Sequence, residues 1–128
     1  HVELKSAQRY PEIGAERGDP IIKRCVKLQG SKTGVVYAVG ETIILMNRVD
    51  EFIRRRLVEE RVGIGELLLE ERLETFREIR TIGRANAESW ASDLATDSST
   101  SVLLRRYVIY LGGAAAIAVN EVFPERYF

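Results

Sequence analysis

The stretch "SVLLRRYVIYLGGAAAIAVNEVF", residues 101–123, sets two apolar runs on either side of Gly112-Gly113. A glycine pair there is a hairpin signal, because tight hairpin turns need positive φ angles that glycine adopts without strain. Strand alternation then places Ile117, Val119, Glu121 and Phe123 on one face of the second run. In the first run Arg105 shares a face with Leu103, Tyr107 and Ile109, while Arg106 shares the other with Leu104 and Val108. A buried, unpaired carboxylate costs several kcal/mol, so Glu121 in its apolar row needs a partner or a job. One reading pairs it with an arginine across the sheet, purely to hold the fold. The other makes it part of a pocket, where an arginine grips a carboxylate as a fork and Glu121 handles a hydroxyl or a proton.

Outward from this hairpin the same alternation recurs. "IIKRCVKL" (residues 21–28) puts Ile22, Arg24, Val26 and Leu28 on one side and Lys23, Cys25 and Lys27 on the other. "QGSKTG" has hairpin-loop composition and leads into "VVYAVGETIIL", where Gly40 reads as a bulge. "NRVDEFIRRRLVEER" is an amphipathic helix, with Val49, Phe52, Ile53 and Leu57 at helical spacing and Asp50–Arg54 and Glu51–Arg55 as i,i+4 pairs. The Arg54-Arg55-Arg56 run is interleaved with Glu51, Glu59 and Glu60, which makes it a solvated helix face rather than a nucleic-acid contact. "VGIGELLLEERLETFREIRTIG" is ambiguous: Leu68, Arg72, Phe76 and Ile79 support one long helix, whereas Leu73, Thr75, Arg77 and Ile79 alternate as in a strand. "ANAESWASDLA" reads as a short helix capped by Asn86, with Trp90 at a core position, ending at Asp97, Ser98 and Ser99. The first twenty residues are mixed, with turn formers at Gly14, Gly18, Asp19 and Pro20. The pattern is an antiparallel α+β fold, one domain over residues 1–128, with hairpins at both ends and helices between.

Composition narrows the chemistry. The 128 residues carry 19 Lys+Arg against 19 Asp+Glu, so no general electrostatic affinity for nucleic acid is expected. Cys25 is the only cysteine and His1 the only histidine, which argues against a disulfide, a thiolate cluster, a histidine-based zinc site or a Ser-His-Asp triad. With no histidine to activate it, Cys25 reads as inert. No run approaches the roughly 18 apolar residues of a membrane span, so a cytoplasmic setting without membrane or nucleic-acid partners is expected. The first residue is His1 rather than Met, and whether the native chain extends upstream is not legible. Gly63-Ile64-Gly65 precedes an apolar run, but two glycines before a helix match no phosphate-binding fingerprint and read as a helix-start turn.

Four stretches together resemble the chorismate pyruvate-lyase family, especially its short archaeal-type members: "IIKRCVKL", "VGIGELLLEERLETFREI", "LLRRYVIY" and "AVNEVFPERYF". Their order and spacing, from Ile21 to Phe128, carry the likeness. The resemblance implies a single antiparallel sheet of about six strands with helices packed around it, enclosing a small pocket. It implies Arg24 as the carboxylate-binding arginine and Glu121 as the active-site glutamate. Ile64 and Gly65 become the turn whose backbone contacts the ligand, and Arg105 the arginine before the last hairpin. It also turns "ERLETFREI" into a strand after a short helix, against the periodicity, and that reading is adopted. The implied reaction removes pyruvate from chorismate to give 4-hydroxybenzoate, with no cofactor. Departures are Gly63 where proline is usual, Asn120 where threonine is common, and Ala114-Ala115-Ala116 in place of a bulkier strand start. The family's N-terminal helix and flap have no clear counterpart in the leader. The ligand-binding domains of one group of bacterial transcription regulators resemble the same fold and end in sequence close to "PERYF". They supply the alternative, an effector-sensing domain without catalysis. Oligomeric state is not legible.

Overall fold

A computed structural model describes residues 2–6, 10–59, 67–68 and 75–127, the first segment as backbone only. Six antiparallel strands form one sheet in the order β1-β2-β3-β6-β5-β4. They are β1 (Val2–Ser6), β2 (Pro20–Gln29), β3 (Val36–Leu45), β4 (Thr75–Asn86), β5 (Ser101–Leu111) and β6 (Ala114–Pro124). The helix α1 (Glu51–Glu59) follows β3, and residues 67–68 are also helical. This is the α+β antiparallel architecture expected from the hairpin signals. Gly112 and Gly113 both take positive φ, 57° and 84°, as a tight turn between β5 and β6 demands.

Two layers flank the sheet. On one face α1 seats Ile53 and Leu57 against Ile22, Ile44, Ile109 and Ile117. On the other, Ile13 and Ala15 cover Ile21, Ile43, Leu45 and Val108, while Ala87 and Leu94, with Trp90 at the margin, cover Val39, Val102 and Val122. Phe52, expected on the buried stripe of α1, is 60% exposed. Asp50 does not serve as an i,i+4 partner: its Oδ1 accepts from the Ile53 backbone N–H at 3.0 Å and caps the helix. Glu51 and Arg55 do pair, at 3.4 Å. No helix among the described residues is long and apolar enough to cross a membrane.

Three local expectations change. Gly40 lies in unbroken register between β2 and β3, and the shifts fall instead at Leu28/Gln29, Ile79/Thr81 and Ile109/Tyr110. "ANAESWASDLA" does not form an α-helix: Asn86 ends β4, and Glu88–Trp90 makes a single 3-10 turn with no side-chain cap. Ser and Asp favour local turns over helix continuation, and Ala95 takes a positive φ of 53° that breaks it. The mixed leader contributes an edge strand, β1, paired with β2 from Val2↔Arg24 to Ser6↔Pro20.

Candidate functional site

The register fixes which side chains share a face. Successive rows run across the sheet on the side that α1 covers. The first is Ile22, Ile44, Ile117 and Ile109, buried beneath α1. The second is Arg24, Thr42, Val119, Tyr107 and Ile79. The third is Val26, Gly40, Glu121, Arg105 and Ile82. Exposure rises along this direction: Arg24 is 5% and Thr42 5% exposed, whereas Val26 reaches 53% and Ile82 72%. The site face is therefore a ramp, dry against the helix and open at the far end.

Glu121 has its partner. Arg105 lies directly opposite it across the β5–β6 ladder and donates both Nε and Nη2 to Oε1, at 3.0 and 2.7 Å. The pair is only half-buried, with the Glu121 side chain 24% and that of Arg105 41% exposed. Such a pair contributes about 1 kcal/mol or less to stability, so the fold does not depend on it. Arg24 sits one row nearer the helix with β3 between, about 10 Å across the sheet from β6. Burial pulls its guanidinium below the ordinary arginine range, though it stays cationic at neutral pH. Gly40 opens the floor between them: a Cβ there would meet only the Val26 Cγ2, at 3.4 Å.

Tyr107, which the sequence reading placed on this face but gave no role, is 6% exposed and lies beside Glu121. Arg77 stacks over its ring at 4.5 Å and Arg105 at 5.6 Å. Burial, then the charge of Glu121, push the phenol above its usual 10.0. Thr42 and Gly40 were also missed, since a threonine or glycine in a strand carries no sequence signal of its own. Ile64 and Gly65 lie outside the described residues. Arg106 is on the opposite face, as alternation requires. Cys25 is half-buried, and burial, followed by the charge of Glu41, pushes its thiol above the usual 9.0.

The arrangement joins a buried cation, a fixed carboxylate and an open glycine floor on one face. The family profile described as "Chorismate pyruvate-lyase Rv2949c-like" matches residues 1–127. The chain belongs to this Rv2949c-like chorismate pyruvate-lyase family. It is 27% identical over 126 residues to the chorismate pyruvate-lyase of Mycobacterium leprae, an alignment covering 98% of this chain and 60% of that protein. The chain thus spans about three fifths of the length of the curated relatives it matches. Among solved structures, the PhnF C-terminal domain superposes with a TM-score of 0.81 at 16% identity, covering 98% of this chain and 79% of that one. A GntR-family transcriptional regulator from Enterococcus faecalis V583 gives 0.77 at 14% identity, covering 100% and 92%. Both likenesses are of fold, and they match the regulator-domain resemblance in the sequence. Family membership and fold are settled by these matches, whereas the roles of individual side chains rest on geometry.

Proposed function

We propose that this chain eliminates pyruvate from chorismate, giving 4-hydroxybenzoate. The observation that carries the reading is the buried Arg24 guanidinium one row from the Arg105–Glu121 pair on the open part of the sheet face. Chorismate has a ring carboxylate and a ring hydroxyl at opposite ends of a six-membered ring, which suits a cation and an acceptor set apart in this way. Arg24 takes the ring carboxylate, strengthened by its dry surroundings. Glu121 accepts from the ring hydroxyl, held in place by the Arg105 fork on Oε1.

The atoms balance without an outside reagent. The ether C–O bond to the ring breaks, and its electron pair leaves with the enolpyruvyl group as the enolate of pyruvate. The hydroxyl-bearing carbon loses one proton, and the enolpyruvyl methylene gains one to become the methyl of pyruvate. The ring becomes aromatic, which supplies the driving force, so the protein's contribution is positioning and electrostatic complementarity.

The test is to incubate the purified chain with chorismate and quantify both products by chromatography. Protein-dependent 4-hydroxybenzoate and pyruvate in equal amounts are expected, and their absence at high protein concentration refutes the reading. The likeness to regulator domains favours a second reading, in which the same face binds a small aromatic acid without turning it over. Thermal stabilisation by 4-hydroxybenzoate with no consumption of chorismate selects that one.

A further inference from the structure

The face of the sheet opposite α1 carries two apolar covers with a polar row between them. Ile13 and Ala15 belong to one cover, Ala87 and Leu94 to the other. Between them the register sets Glu41, Asn120, Arg106 and Thr81 side by side across β3, β6, β5 and β4. A cavity of about 270 Å³ opens at this row. Glu12, Arg80, Arg106 and Asn120 border it, and the buried Val108 and Ala118 give it an apolar floor.

The charges around the cavity differ in what they already hold. The register shift between Ile79 and Thr81 makes Arg80 an extra residue on β4, and a bulge of this kind re-aims a side chain. Its Nε lies 2.6 Å from Glu78 Oε1, and its Nη2 donates to the Tyr110 hydroxyl at 3.1 Å, so Arg80 is a fixed wall. Glu41 is likewise occupied, by Lys23 at 3.5 Å. Arg106 and Glu12 are not. Among the described residues neither has a hydrogen-bond or ion-pair partner, although they carry opposite charges and line the same cavity.

Opposite charges that border one small cavity without meeting suit a ligand that carries both. We propose that this cavity binds a free α-amino acid, with its carboxylate on Arg106 and its ammonium on Glu12. Arg106 presents a planar fork to the carboxylate, the geometry in which a guanidinium binds best. Asn120, directly opposite Arg106 in the ladder, adds an amide that can donate to the carboxylate or accept from the ammonium. The ligand's side chain rests on Val108 and Ala118. Ligand cavities run upward from about 300 Å³, so this one takes a small molecule. An anion without an ammonium would set its charge against Glu12, and an amine without a carboxylate would set its own against Arg106. Alternation sends Arg106 and Asn120 to the other side of the sheet from their chain neighbours Arg105 and Glu121, so the cavity is separate from the face described above. The proposal does not rest on the lyase reading.

The test is nitrogen-15 NMR of the labelled chain, with each common L-amino acid titrated in turn. At least one is expected to give saturable shifts of the Glu12, Arg106 and Asn120 amides. For that amino acid, Arg106→Gln and Glu12→Gln are each expected to weaken binding about tenfold, the loss of one charge-assisted contact. Its deaminated and decarboxylated analogues should bind about tenfold more weakly to the unmodified chain. Both side chains are exposed, so the variants are expected to keep the fold, and the analogues decide the matter even if one melts early. The absence of any saturable shift overturns the proposal, as do shifts that gather around Arg24 and Glu121 instead. A deaminated analogue that binds as well as its parent also overturns it, and leaves a plain carboxylate site.

Discussion

Arg24 is a guanidinium only 5% exposed, on a strand whose next two residues on that face, Val26 and Leu28, are 53% and 64% exposed. A buried guanidinium beside exposed apolar neighbours suits the margin of a ligand-binding face, and ligand affinity is the role proposed for it. Arg24→Lys keeps the charge and loses the fork, so affinity for 4-hydroxybenzoate is expected to fall at least tenfold with little change in thermal stability. Calorimetric titration beside a melting curve checks both, and a large drop in Tm without loss of affinity would make Arg24 structural. For Glu121 the magnitudes separate two roles. A general base contributes about 10²–10⁴ in rate, whereas a hydrogen-bonding anchor contributes about tenfold. Glu121→Gln is expected to slow turnover more than it weakens binding, and the size of the fall in kcat says which role it plays. Its effect on stability stays within about 1 kcal/mol, because the pair it breaks is half-exposed. At this scale a charge in an apolar row singles out Arg24, Arg105 and Glu121 as candidates, and equally Arg106, which the ladder turns to the opposite face. Tyr107 and Gly40 are not singled out, because an aromatic or a glycine in a strand fits ordinary packing equally well.

Among elements, α1 and the two hairpins were legible because each buries one face and exposes the other. That asymmetry is what produces a period in the sequence. β4 was not legible on the same grounds. All its residues but Glu78 are exposed, so no burial imposes alternation on "TFREIRTIGRAN", and chance helical spacing prevailed until the family resemblance corrected it. Its arginines and the register shift at Ile79/Thr81 are features that keep an edge strand from pairing with other chains. The turn region after Trp90 misled for a different reason: alanine and serine spaced like a helix carry little apolar surface to hold one together. α1 matters most to the site, since it covers the dry end of the ramp beside Arg24 and Tyr107. Ile53 is 2% exposed at the centre of that contact. Ile53→Ala is expected to cost about 3 kcal/mol and lower Tm by about 10 °C in a melting experiment. Phe52→Ala, one residue away but exposed, should stay within about 1 kcal/mol, and equal losses at the two positions would mean that α1 is rotated from its place here.

For the molecule as a whole, three of the shifted proton affinities point in one direction. Cys25 and Tyr107 are both raised by burial, from 9.0 and 10.0. Burial is the largest influence on Lys23 and opposes the shift, but the charge and hydrogen bond of Glu41, 3.5 Å away, together with Cys25 and Tyr10, outweigh it and raise the ammonium from 10.5. In each case the folded chain holds its proton more tightly than the unfolded chain does. Below pH 9 both states are protonated at these groups and their contribution is constant. As pH climbs past each ordinary value, the unfolded state loses its proton first and is favoured, so stability falls progressively through the alkaline range. On the acid side Asp97, lowered by hydrogen bonds from Ser99, works the other way, its contribution being lost as pH drops through the carboxylate range. Arg24, lowered by burial from the ordinary arginine range, titrates too far out to matter in either window. Tm is therefore expected to be flat from neutrality to about pH 9 and to decline above it. The decline has two separable parts, since Cys25→Ala removes the contribution that begins near 9 and Tyr107→Phe the one that begins near 10. Melting curves of the three proteins from pH 7 to 11 decide it, and parallel profiles for all three would place the alkaline sensitivity elsewhere in the chain.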